Sequence, residues 1–228
     1  MKFIIIGLGS FGASLAQKLT LMGHEVIGVD SKMSKVESLK ESITHTICLD
    51  STDRMAIKHL PLEDTDVVMV CIGEDEGASI MTTALMKQSN VKRLISRAVS
   101  QLHETILEAM MVDEIVHPEE ETAERWAKRL NIRGVIDSFE LTGEYHVIEA
   151  NVPAHYAGKT LEEIGVRRKY HVIVLTTIKF GEEENIFGAV RKVKLVQDVA
   201  SARTVLEAND IMVLYGKMAD IKNFLKED

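Results

Sequence analysis

Residues 3–30 read FIIIGLGSFGASLAQKLTLMGHEVIGVD, and this stretch decides the fold. An apolar run, Phe3 to Ile6, meets Gly7-Leu8-Gly9-Ser10-Phe11-Gly12. A helical pattern follows with Phe11, Leu15, Leu19 and Met22 on one face, and Gly23 ends it. A second apolar run, Val26 to Val29, stops at Asp30. The order is strand, glycine turn, helix, strand, acid. Gly7 permits the tight turn, Gly9 lets backbone approach a pyrophosphate, and Gly12 lets helix pack on strand. The helix N-terminus offers free N–H groups and a partial positive charge to phosphate. Asp30 ends a strand where a ribose diol can donate to it, at the usual spacing of roughly 20 residues from the glycines. Glycines in this pattern also serve packing alone, but the flanking strands, helix and acid together point to a nucleotide.

Outward from this unit, strand and helix keep alternating. Ser31 is placed to cap a helix running to Glu41, and Ile47 to Leu49 reads as strand three. Asp50-Ser51-Thr52 then either meets the adenine side of a ligand or caps the next helix, which Pro61 breaks. Val67 to Ile72 is unbroken apolar sequence, as in a strand covered on both faces, and ends at Gly73-Glu74. After a helix to Ser89, Leu94 to Ser96 forms strand five. Arg97 at its end faces the crevice and can pair with phosphate, or with a surface acid. A helix over 102–111 and a strand over 114–116 complete a parallel sheet of order 3-2-1-4-5 with a sixth strand.

Pro118 starts a helix with Glu119, Glu120 and Glu121 in its first turn, where acids suit the helix dipole. Ala123, Trp126, Ala127 and Leu130 recur at helical spacing, so this helix buries a face in the chain's own core or against a second copy. The grammar then changes. Residues 139–152 read as a hairpin, Thr160-Leu161-Glu162-Glu163 as a capping box closed by Gly165, 171–178 as a strand, and 181–185 as an acidic turn. The stretch 189–208 is ambiguous, 211–215 is a strand, and Met218, Ile221 and Leu225 share a helix face. The fold class is α/β: an N-terminal Rossmann-like parallel sheet (1–117), a crossover helix and linker (118–138), and a small C-terminal α+β domain (139–228).

Composition narrows the function. A net charge of −8 on 228 residues argues against a nucleic-acid binder, which needs a basic face. No apolar run approaches the roughly 20 residues that span a bilayer, and strand sequence at Phe3 leaves no room for a signal peptide. These features lead us to expect a soluble, cytoplasmic protein. Cys48 and Cys71 fall on strands three and four, which are not neighbours, so a disulfide is not expected. His146, His155 and His171 sit in no catalytic pattern, and GxSxG, HExxH and GxxxxGK[ST] are absent from the sequence. A nucleotide domain without catalytic machinery suggests a sensor rather than an enzyme. An NAD-dependent oxidoreductase with a non-standard catalytic domain and a nucleotide-blind scaffold are the alternatives.

With GLGSFGASLAQKL, GHEVIGVD, Leu49-Asp50-Ser51-Thr52, Val70-Cys71-Ile72-Gly73-Glu74, VDEIVHPEE and LEEIGVRRKYHVIVL in order, the chain resembles the RCK regulatory subunits of bacterial Trk and Ktr potassium transport, the TrkA/KtrA family. The resemblance implies a cytoplasmic gating subunit, peripheral to the inner face of the membrane. It binds ATP, ADP or NAD(H), pairs into dimers and an octameric ring, and controls a membrane potassium-translocating subunit. The implied ligand contacts are Gly7, Leu8, Gly9, Ser10, Phe11 and Gly12 at phosphate, and Asp30, Ser31 and Lys32 at ribose. Asp50, Ser51 and Thr52 lie on the adenine side, with Ile72, Gly73, Glu74 and Arg97 on the remaining rim. KtrA-type members carry arginine where this chain has Ser10, so the site lacks a bidentate phosphate partner, and NAD(H) or ADP becomes more open. Glu119 falls where the family places a carboxylate near a divalent cation, Mg or Ca. Arg167, Arg168 and His171 lie where some relatives bind cyclic di-AMP, or they form a solvated basic turn.

Overall fold

The structure is a computed structural model and describes residues 1–131, 134–184 and 190–226, without the side chains of residues 184 and 190–192. It divides into two compact units, Met1–Glu120 and Glu121–Asp228.

At the centre of the first unit lies β1 (Lys2–Ile6), whose Ile4, Ile5 and Ile6 are buried on both faces. It pairs in parallel with β2 (Glu25–Asp30) on one side and β4 (Val67–Val70) on the other. With β3 (His45–Cys48), β5 (Leu94–Arg97) and β6 (Glu114–Val116), the order is β3-β2-β1-β4-β5-β6, as expected. Chain direction across the sheet reverses between β1 and β4. A ligand crevice belongs there, beyond the carboxyl ends of the strands. One face packs Ile4, Ile6, Val68 and Val70 with Met86 of α3 (Glu76–Gln88). The other packs Ile5, Val26 and Met69 with Ala16 of α1 (Ser10–Leu21) and Val36 of α2 (Met33–Leu39). A sheet covered on both faces accounts for the near-continuous apolar strands.

Two local expectations fail in this unit. Ser31 does not cap α2: the preceding residue is Lys32, with no side-chain cap, and the helix stops at Leu39. No α-helix lies between Asp50 and β4; a single 3-10 turn, Ala56–His59, stands there, so Asp50 caps no helix and Pro61 breaks none. α4 (Gln101–Ala109) is capped by Ser100, whose hydroxyl accepts from the His103 amide at 3.1 Å.

α5 (Pro118–Asn131) forms where the acidic first turn places it, but it buries no residue. Trp126 is 50% exposed and Leu130 78%, so the apolar face is not part of the chain's own core. The Arg129 guanidinium lies 4.6 Å from the centre of the Trp126 ring. Further charges fix α5 to the first strand of the second unit, β7 (Val135–Thr142), through Arg125 on Asp137 and Lys128 on Glu140.

The second unit is a five-stranded antiparallel sheet of order β10-β9-β11-β8-β7, built with β8 (Tyr145–Asn151), β9 (Ile173–Glu184), β10 (Val190–Val196) and β11 (Ile211–Lys217). α6 (Leu161–Ile164) carries the expected capping box, and Gly165 closes it in the left-handed conformation at φ 69°. α8 (Met218–Leu225) buries Ile221, Phe224 and Leu225, with Tyr156 stacked on Phe224 at 5.0 Å.

Three expectations change here. β7 begins at Val135, ahead of Phe139. His171 is left-handed at φ 56° and ends α7 (Val166–Tyr170), so β9 starts only at Ile173. Gly181 to Glu184 continue β9 instead of turning; Asn185, at the end of the predicted turn, lies outside the described residues. The ambiguous stretch resolves, apart from residue 189, into β10 and a return segment. Ala200 donates to the Leu175 carbonyl at 2.8 Å, and Leu206 to that of Lys159 at 3.0 Å.

Candidate functional site

A cleft of about 590 Å³ opens at the carboxyl ends of β1, β2 and β4. Its floor is the glycine turn. Gly7 sits at φ +96°, and a Cβ there would come within 2.9 Å of the Ile72 backbone nitrogen. A Cβ on Gly12 would lie 2.0 Å from the Gly7 carbonyl oxygen, so this glycine lets α1 close on the turn. Gly9 is different. It occupies the N-cap of α1, no side chain caps the first turn, and a Cβ would meet nothing within 4 Å. The helix N-terminus is thus presented to open space in the cleft, an arrangement suited to an anion.

Asp30 closes the β2 end and is 8% exposed. Its Oδ2 accepts the Leu8 amide at 2.8 Å and its Oδ1 the Lys32 amide at 2.9 Å. Two backbone donors fix the carboxylate, and its remaining lone pairs are open to a diol. Lys35 Nζ stands 3.7 Å from Oδ2.

Past the end of β3, the Asp50 carboxylate accepts from the Thr52 amide at 2.9 Å and hydroxyl at 2.7 Å, which holds its pKa below the ordinary carboxylate value. The Ser51 hydroxyl is buried against Thr82 at 2.9 Å, tying this loop to α3. Beyond β4, the Arg97 guanidinium packs over Gly73, where a Cβ would fall 2.6 Å from an Nη. Arg97 pairs with Glu119, its Cζ lies 6.0 Å from the Phe11 ring centre, and its buried Nε has no hydrogen-bond partner among the described residues. Cys71 lies against the turn; burial pushes its thiol up to about 12, only partly opposed by the Arg97 charge, so it is an inert wall.

Most of the sequence-derived candidates meet in this one cleft: Gly7, Gly9, Ser10 and Phe11; Asp30, Ser31 and Lys32; Asp50, Ser51 and Thr52; Ile72, Gly73, Glu74, Arg97 and Glu119. Leu8 and Gly12 do not line it. The Leu8 side chain is in the core and its amide serves Asp30, while Gly12 faces the Gly7 carbonyl. Lys35 is a wall residue that sequence reasoning missed; its signal was a basic residue on the first turn after the acid-bearing strand. His117 and Glu104, 3.4 Å apart, line an adjoining cleft with Arg97 and Glu119. Arg167, Arg168 and His171 are exposed on and beside α7. Among the described residues, no group of three or more His, Cys, Asp or Glu is arranged to hold a metal, and no helix is long and apolar enough to cross a membrane.

A parallel sheet with a glycine turn, uncapped helix and fixed acid at its switch point, followed by an antiparallel α+β unit, defines a Rossmann-type α/β architecture with an appended α+β unit. Comparison with known proteins narrows this. The TrkA-N domain family matches residues 3–118. The Ktr system potassium uptake protein C of Bacillus subtilis (strain 168) is 34% identical over 225 residues, covering 99% of this chain and 96% of that protein. Protein A of the same system and organism is 28% identical over 226 residues, covering 99% and 96%. The chain belongs to the TrkA/Ktr family of potassium uptake proteins. A solved RCK domain of GsuK shares the fold at a TM-score of 0.65 and 15% identity; it covers 99% of this chain, which spans about half (48%) of that one. A GsuK channel solved bound to NAD has the same TM-score and identity, with 99% of this chain and 39% of that one covered.

Proposed function

We propose that this chain is a nucleotide-sensing regulatory subunit that binds ADP, ATP or NAD(H) in the cleft and controls a membrane potassium-translocating subunit. The observation that carries this is the Gly9 position: an uncapped helix start with open space before it, facing a carboxylate held by two amides. Kinship to the Bacillus subtilis Ktr proteins supports the transport role, and the NAD-bound GsuK channel supports the ligand class. The regulation is thermodynamic: a nucleotide shifts the assembly only by as much as its affinities for two conformations differ.

Finer parts of the proposal follow. The exposed Trp126 and Leu130 of α5 suit a second copy, on the way to a dimer and a ring. The subunit works in the cytoplasm at the membrane's inner face through its partner. Glu119 contributes to a divalent cation only if phosphates or a second copy supply the other ligands, since Arg97 already engages it. Arg167, Arg168 and His171 offer positive and polar groups to the phosphates of a cyclic dinucleotide.

The test is potassium uptake in cells lacking their own regulatory subunit but retaining its membrane partner. Wild-type protein restores nucleotide-dependent uptake, and Asp30→Ala at equal abundance does not. Equal rescue by both would overturn the proposal, and NADH turnover by the purified protein would favour the oxidoreductase alternative.

A further inference from the structure

Four charged groups meet across the ribose end of the cleft. From the β2 side come Lys32 and Lys35; from the loop after β4 comes Glu74. Glu74 Oε2 accepts from Lys32 Nζ at 2.9 Å and Oε1 from Lys35 Nζ at 3.4 Å. Lys35 also stands 3.7 Å from Asp30 Oδ2, the atom that accepts the Leu8 amide. Two ammonium groups therefore face two carboxylates, and the local charge sums to zero.

We propose that Glu74 sets which ribose the cleft accepts: by holding Lys32 and Lys35, it keeps the site selective for a free 2′-hydroxyl over a 2′-phosphate. This rests on the nucleotide assignment above. Asp30 receives a ribose diol, and a phosphate on the 2′-oxygen would lie beside its carboxylate. Such a phosphate adds about −1.5 to −2 charges at neutral pH and needs nearby cations. Lys32 and Lys35 are those cations by position, but both are committed to Glu74. Without Glu74, two ammonium groups face the single charge of Asp30, and the site can accept the added phosphate. The Glu74 side chain is 71% exposed. Exposed ion pairs contribute little to folding, so replacing Glu74 should leave the fold intact.

The test is calorimetric titration of the full chain with ADP and with ADP phosphorylated at the 2′-oxygen. Wild-type protein favours ADP. In Glu74→Gln the preference falls by about tenfold or more, the scale of one or two unscreened charge contacts. The change shrinks in 1 M salt, where the screening length is about 3 Å, and Lys35→Gln added to Glu74→Gln reverses it. An unchanged preference in Glu74→Gln overturns the proposal, as does a change that persists when both lysines are also removed. Failure of wild-type protein to bind either compound, or ATP or NADH, would instead overturn the nucleotide assignment, and this inference with it.

Discussion

The Asp30 carboxylate accepts the backbone amide of Leu8 at 2.8 Å, a buried link across 22 residues that ties the end of β2 to the glycine turn. The acid that should hold ribose is therefore also a structural acceptor. Removing it as Asp30→Ala leaves the Leu8 amide buried and unpaired. The expected cost is about 1–3 kcal/mol, read as a lower urea midpoint, together with loss of adenine-nucleotide binding. Asp30→Asn keeps one carbonyl acceptor and should recover part of the stability. An Asp30→Ala protein as stable as wild type would show that the link carries no weight.

Two glycines of the turn should separate fold from ligand. Gly12→Ala places a Cβ 2.0 Å from the Gly7 carbonyl oxygen, a backbone atom that cannot swing away. Overpacking of this kind costs about 1–3 kcal/mol. Gly9→Ala meets no protein atom within 4 Å, so its melting temperature should stay near wild type while its methyl stands where phosphate would approach. Thermal melts and nucleotide titrations of both variants check this; similar losses of stability would contradict it.

His103 supplies a pH signature. It is fully buried on α4, neither ring nitrogen has a hydrogen-bond partner among the described residues, and burial lowers its pKa, opposed in part by the Glu76 charge. The unfolded chain then binds a proton more readily than the folded one. Stability should be complete above the ordinary histidine value of about 6.5 and decline as pH falls below it. His103→Leu should flatten that decline between about pH 7 and pH 5 in denaturant melts. A variant with the same slope as wild type would assign the acid sensitivity elsewhere.

What the sequence revealed follows from how local each signal is. The β1–turn–α1–β2 unit is written in 28 consecutive residues, 3–30, with the turn, helix stop and acid each marked by its own residue type. The capping box at Thr160 and Glu163 is equally local. β9 and β10 were obscured because their paired outer residues, such as Gly181 with Val193 and Phe180 with Lys194, lack a clean apolar alternation. His171 looked like strand because nothing in its neighbours demands a left-handed backbone. The Lys35–Glu74 contact joins residues 39 apart and exists only once the sheet brings α2 and the loop after β4 together. α5 shows the reverse limit: its apolar spacing is legible, but spacing alone does not say whether the face meets the chain's own core or another surface.

The most direct measurement is native mass spectrometry of the purified full chain with ADP, ATP and NADH, alongside Gly9→Ala. One nucleotide per subunit is expected in the wild-type assembly and none in Gly9→Ala at the same concentration. A wild-type assembly that takes up none of the three, or a Gly9→Ala assembly that binds as well as wild type, would contradict it.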